Sequence, residues 1–152
     1  MENKLKHQIW AVVGVVITAV LGSVFVNLGM SWFNGLIKPS QWIPNFVFPI
    51  VWTIIYLLVA IYMVLLSKSS KFYKDNIVLF VANGILNVLW CFVFFTLHHT
   101  FLGVVVILIN AVLGYMLYLK QEKDNWLAKA LLIYPIWLTI ATLLNTAMWI
   151  LN

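Results

Sequence analysis

Residues 32–56 read WFNGLIKPSQWIPNFVFPIVWTIIY, and the reading of this stretch decides the fold. It holds Trp32, Trp42 and Trp52, a polar break with Lys38, Pro39 and Pro44, and then an apolar run. Proline fixes φ and lacks an N–H, so the break cannot continue a helix, whereas the run after it can. Working outward, apolar run and polar break alternate along the whole chain. A hydrocarbon core about 30 Å thick is crossed by about 20 helical residues. Runs of that length fall at about 8–30, 45–66, 77–97, 101–119 and 128–151. The breaks between them are SWFNGLIKPSQWIP, SKSSKFYKDN, HHT and KQEKDNW. The shortest, HHT, predicts a tight antiparallel hairpin of the third and fourth spans. The expectation is an all-α protein: one domain over 1–152, an integral membrane bundle of five transmembrane helices.

Composition agrees. Of 152 residues, 64% are hydrophobic and 9% charged, against about 25% charged in soluble domains. Such a chain cannot cover a water-facing surface. The net charge of +5 comes from nine lysines against four acids, with no arginine. In a membrane protein this excess sets topology and lipid contact, and we read no nucleic-acid partner from it. Lys4, Lys6, Lys68, Lys71, Lys74, Lys120, Lys123 and Lys129 fall on one side, and Lys38 alone on the other. By the positive-inside rule the N-terminus is cytoplasmic and the C-terminus outside. The first span follows two lysines but exceeds a signal core of about 7–15 residues, so it is read as a span. Cys91, the one cysteine, lies in an apolar run and suits a small buried hydrophobe.

The spans exclude several chemistries. No Asp, Glu, Lys or Arg lies in a span core, which argues against ion-coupled transport and proton relays. His98 and His99 sit in a turn without a suitably spaced third ligand, so they read as interfacial polar residues, and no metal site is expected. GxSxG, P-loop and GxGxxG motifs do not occur. Any reaction would draw its reactive atoms from the ligand, oxygen, light or aromatic side chains.

Amides and indoles are what the spans do contain. Asn83, Asn87, Trp90 and Phe94 follow one another at helical spacing on the third span. Tyr134, Trp137, Ala141, Asn145 and Met148 do so on the fifth, and Trp52 and Tyr56 on the second. An unpaired amide in lipid costs several kcal/mol, so these faces are expected to turn inward. Helix-to-helix bonding alone is the competing role for each asparagine. An interfacial belt accounts for Trp10, Trp126 and Trp149, near span ends, better than for Trp52, Trp90 and Trp137, deep within them. Pro49 and Pro135 are expected to kink their helices, and the loop with Pro39 and Pro44 is expected to fold over the bundle as a lid. A kinked but solid bundle is the alternative. Gly14, Thr18 and Gly22 on the first span, and Ala82 with Gly84 on the third, offer small-residue rows for a dimer interface or for close packing within one chain.

The opening stretch resembles the signature of the TspO/MBR family, the tryptophan-rich sensory proteins related to the mitochondrial peripheral benzodiazepine receptor, or translocator protein. Trp32, Leu36, Lys38, Pro39 and Pro44 match it, as do Val51, Trp52, Thr53 and Tyr56. LNVLWCFVFF in the third span and YPIWLTIATLLNTAMWILN in the fifth resemble two further family elements. Phe33, Gln41 and Ile43 depart from the pattern, and Tyr134 precedes Pro135 instead of following it. The resemblance implies a five-helix bundle, usually homodimeric, in a bacterial cytoplasmic membrane. It implies a pocket under the first loop for porphyrins such as protoporphyrin IX, not covalently held, and for drug-like benzodiazepine-site ligands. Carried over, that pocket uses Trp32, Pro44, Trp52, Asn83, Asn87, Trp90, Trp137, Ala141 and Asn145, with Lys38 at its mouth. The implied role is a porphyrin-binding sensor-type protein, extending in bacterial relatives to light-dependent oxidative breakdown of protoporphyrin, for which Trp32 and Trp137 are the catalytic candidates. The alternative is a translocator of porphyrin or other hydrophobic molecules. The animal members' C-terminal cholesterol motif is missing, while Val112, Tyr115 and Lys120 fit only its loose form in the fourth span.

Overall fold

The computed structural model describes residues 2–68, 70–122 and 124–152. Lys123 and the Lys71 side chain, which carry part of the charge asymmetry, lie outside what is described. The elements are α1 (Glu2–Asn34), α2 (Val47–Leu66), α3 (Ser70–Cys91), a π-helical turn (Phe92–Thr96), α4 (Thr100–Lys120), α5 (Trp126–Ala130) and α6 (Ile133–Leu151). Among the described residues there are five spans long and apolar enough to cross a membrane, α3 with the π turn forming the third and α5 with α6 the fifth. The protein is an all-helical, multi-pass integral membrane protein.

Two points differ from expectation and a third agrees with it. First, α1 continues past Met30 to Asn34, so Trp32 belongs to a helix and the loop is residues 35–46. Lysine explains the shift: the Lys38 ammonium donates to the Phe33 carbonyl at 3.2 Å and satisfies an end of the helix where a cation is favoured. Second, Pro49 does not kink α2. That helix begins at Val47, so Pro49 lies in its first turn, where a missing N–H costs nothing. Third, Pro135 does interrupt its span. It cannot donate to Leu131, whose carbonyl accepts from Tyr134 N at 3.1 Å instead, and the chain breaks between α5 and α6.

The π turn closes the third span. Leu97 N donates to Phe92 O at 2.9 Å and His99 N to Val93 O at 3.1 Å. His98, at φ 60°, takes the left-handed position of a helix-ending cap that is one residue wider than usual. The wide turn brings Val93, Phe94 and Phe95 all inside, at 9, 1 and 8% exposed. Here α1 approaches most closely: a Cβ on Gly29 would lie 1.8 Å from the Phe95 carbonyl oxygen, and Thr96 Oγ1 donates to Phe25 O at 3.1 Å.

Two apolar cores stack along the bundle. The loop-side core gathers Phe33, Ile55, Trp90, Phe94, Ile107, Trp137 and Leu138, with Leu36, Trp42 and Ile43 of the loop packed on it. The other, toward the N-terminus, gathers Ala11, Tyr62, Met63, Phe80, Leu117 and Leu127. A buried polar knot ties that end: Tyr62 Oη donates to Gln121 Oε1 at 2.9 Å, and Gln121 Nε2 to Asn76 Oδ1 at 2.8 Å. It joins α2, α3 and the end of α4, and nothing in the helical periodicity marked it.

Candidate functional site

The loop covers the bundle end and is clamped there. Asn152, the last residue, bonds both backbone groups of Ile37: Ile37 N donates to its Oδ1 at 2.9 Å and its Nδ2 donates to Ile37 O at 3.0 Å. Trp42 Nε1 donates to Asn45 Oδ1 at 3.0 Å, which turns its ring down onto the bundle. From there a ladder of rings descends. Phe33 lies 5.8 Å from Trp42, Trp42 5.7 Å from Phe48, and Phe48 5.6 Å from Trp137.

At the foot of the ladder Trp137 is 6% exposed and its indole N–H meets no acceptor. Such a donor costs about 1–3 kcal/mol when left unpaired. Its neighbours in the loop-side core are satisfied: Trp90 Nε1 of α3 donates to Asn145 Oδ1 of α6 at 3.2 Å, and Asn145 Nδ2 to Ala141 O at 3.1 Å. Trp52 lies 6.3 Å from Trp90 and 5.6 Å from Tyr56.

The structure thus brings Trp52, Trp90, Trp137, Ala141 and Asn145 into the loop-side interior. Trp32, at the end of α1, packs on the edge of the same core, stacked on His98 at 4.4 Å and edge-on to Phe94 at 5.5 Å. Pro44 is exposed and its carbonyl accepts from Val47 N at 2.9 Å, so it sets the start of α2. Lys38 caps α1 and sits over the Phe33 ring at 4.8 Å, directed to backbone and aromatic faces.

Asn83 and Asn87 lie deeper, in a second polar group. Tyr134 Oη donates to Asn83 Oδ1 at 3.2 Å and reaches Asn110 Oδ1 at 3.4 Å. Asn110 Nδ2 donates to Asn87 Oδ1, and Asn87 Nδ2 to Tyr56 Oη, both at 3.5 Å. Helices α2, α3, α4 and α6 all contribute. Asn110, fully buried, was not singled out from the sequence, although a lone amide in an apolar span is a readable signal. Asn83 and Asn87 also line a cavity of about 700 Å³ between α1, α2 and α3. Phe48 was likewise missed, because one phenylalanine among many carries no mark of its place.

Residues 11–150 match the sequence profile of the TspO/MBR family. Tryptophan-rich protein TspO of Archaeoglobus fulgidus is 32% identical over 155 aligned positions, covering 98% of this chain and 97% of that one. Tryptophan-rich protein TspO of Chlorobaculum tepidum is 30% identical over 136, covering 86% of each. Protein CrtK of Rhodobacter capsulatus is 28% identical over 126, covering 80% of this chain and 79% of that one. With a match across most of its length and five spans in the expected order, the chain belongs to the TspO/MBR family.

Proposed function

We propose that this protein binds a flat hydrophobic ligand of the porphyrin class beneath the 35–46 loop and serves as a membrane sensor for it. The observation that carries this reading is the buried, unpaired N–H of Trp137 at the foot of the Trp42–Phe48–Trp137 ladder. The loop is tied to the bundle end by the Asn152–Ile37 pair of hydrogen bonds and by the packing of Leu36, Trp42 and Ile43 on the core, so a ligand that enters takes over that apolar contact. Once Trp42 and Phe48 swing aside, a macrocycle takes their place against Trp137, Trp90 and Trp52, and an acceptor on it pairs the Trp137 indole. Offset ring stacking adds about 0.5–1.5 kcal/mol per ring beyond area burial.

Titration with protoporphyrin IX, followed by quenching of tryptophan fluorescence, tests the reading. Trp137→Phe is expected to bind about tenfold more weakly, the equivalent of about 1.4 kcal/mol. Its ligand-free melting temperature should not fall, because the substitution also removes an unsatisfied donor. Equal affinity in the two proteins overturns the assignment. Illumination of the complexes separates binding from photo-oxidation: faster bleaching by the wild type than by Trp32→Phe/Trp137→Phe supports a photochemical role for those indoles, and equal bleaching removes it.

A further inference from the structure

We propose that His98 and Trp32 form a proton-sensitive latch, through which the pH on the loop side of the membrane sets how tightly the 35–46 loop is held. Its use as a gate rests on the reading of that loop as the cover of a ligand site, whereas the latch itself does not.

Backbone geometry builds the latch. His98 takes φ 60° at the end of the π turn, and the bond from His99 N to Val93 O at 3.1 Å fixes the chain around it. Its imidazole lies flat on the Trp32 indole, with centroids 4.4 Å apart and planes inclined by 13°. Phe94, 1% exposed, meets the same indole edge-on at 5.5 Å. The indole therefore has one buried neighbour and one exposed, titratable neighbour. Trp32 is also the root of the loop. Its carbonyl accepts from Gly35 N at 3.0 Å, and the next carbonyl, of Phe33, accepts from Leu36 N at 3.2 Å. Holding the indole holds the turn from which the loop departs.

Charge sets the strength of the hold. Histidine is the side chain that gains charge between about pH 8 and 5. A cation within about 6 Å of an aromatic centroid is attracted to the ring face, and tryptophan is the best such face. The surroundings leave an imidazolium no rival partner among side chains. All four acids, Glu2, Asp75, Glu122 and Asp124, lie at the opposite end of the bundle. The His98 ring makes no hydrogen bond among the described residues. The other cationic or titratable side chains at this end are Lys38 and His99. Lys38 is engaged with the Phe33 carbonyl at 3.2 Å and with the Phe33 and Trp42 rings. His99 is the N-cap residue of α4, and its side chain caps nothing. The latch thus tightens in acid, where the imidazole is charged, and loosens as rising pH discharges it.

Asparagine is among the few side chains that accept a positive φ, so His98→Asn keeps the turn and removes the charge. Amide hydrogen exchange of residues 35–46 is measured on the ligand-free protein in nanodiscs at about pH 5.5 and about pH 8, on either side of the histidine range. Variant and wild type are compared at the same pH, so the intrinsic exchange rate cancels. At the acidic pH the loop of His98→Asn should exchange about twofold to fivefold faster than the wild type, and this excess should shrink at the basic pH. His99→Gln should follow the wild type at both. Tryptophan emission gives a second readout: acid should change it in the wild type, and both His98→Asn and Trp32→Phe should remove that change. An exchange ratio that is equal at the two pH values, or an emission response that survives in His98→Asn, would overturn the proposal. In stopped-flow mixing with protoporphyrin, the wild type should associate more slowly than His98→Asn at the acidic pH. Failure of protoporphyrin to bind either protein would remove the ligand reading, while the ligand-free exchange ratios would still decide the latch.

Discussion

The Trp90 indole N–H donates to the Asn145 side-chain oxygen at 3.2 Å, across 55 residues of sequence. This bond joins α3 to α6 inside the loop-side core, and both partners are buried, at 7 and 6% exposed. Asn145→Leu keeps the apolar fit but leaves the Trp90 donor buried and alone. The expected loss is about 1–3 kcal/mol, read as a fall in the thermal midpoint of the detergent-solubilised protein. Trp90→Phe/Asn145→Leu should recover part of it, since removing both partners of a buried bond is milder than removing one.

Two glycines of α1 should respond oppositely to the same substitution. At Gly29 an added methyl collides with the Phe95 backbone, which cannot rotate away. Gly29→Ala should therefore cost at least about 1–3 kcal/mol. At Gly14 the space is open, and Gly14→Ala should be neutral or stabilising by up to about 1 kcal/mol. Thermal unfolding of the two variants side by side checks the contrast, and equal shifts would contradict the close approach at the π turn.

The loop clamp predicts a kinetic phenotype. Asn152→Ala removes both bonds to Ile37, so the loop should open more often. Stopped-flow quenching by protoporphyrin should show faster association, with a smaller change in the dissociation constant. Limited proteolysis near residues 37–42 should quicken in parallel.

Orientation has its own test. The lysine asymmetry expects the N-terminus inside and Asn152 outside. A phosphatase fused at Asn152, active only after export, should be active, and cytoplasmic-only activity would reverse the assignment.

What the sequence revealed, and what it concealed, follows from the range of the forces involved. Long apolar runs between polar breaks made the five spans legible, because membrane thickness acts on each segment alone. The inward turn of Asn83, Asn87 and Asn145 was legible too, since a buried amide has few places to go. Its specific partners were not: Asn110 and Tyr134 meet Asn83 and Asn87 only after four helices pack. The π turn at Phe92–Thr96 escaped notice because π and α windings share the same residue preferences, and contact with Gly29 favours the wider one. Spacing alone leaves Trp32 in the loop, because it does not reveal that Lys38 caps α1 from beyond its end. The effect of Pro49 turns on where α2 starts, which spacing does not fix, whereas Pro135 lies well inside its span and its interruption is legible.

The wide turn at Phe92–Thr96 has an evolutionary corollary. A π turn is an α-helix holding one residue more than its register needs, so removing a residue from it leaves both flanking stretches pointing as before. A variant lacking Val93 should still insert and still form the hairpin into α4. What it should lose is the ability to present adjacent phenylalanines to the interior at once, and with it the tight seat for Gly29. Indels along this third span are therefore expected to be tolerated at this turn and to be disruptive one helical turn earlier, at Asn87 and Trp90.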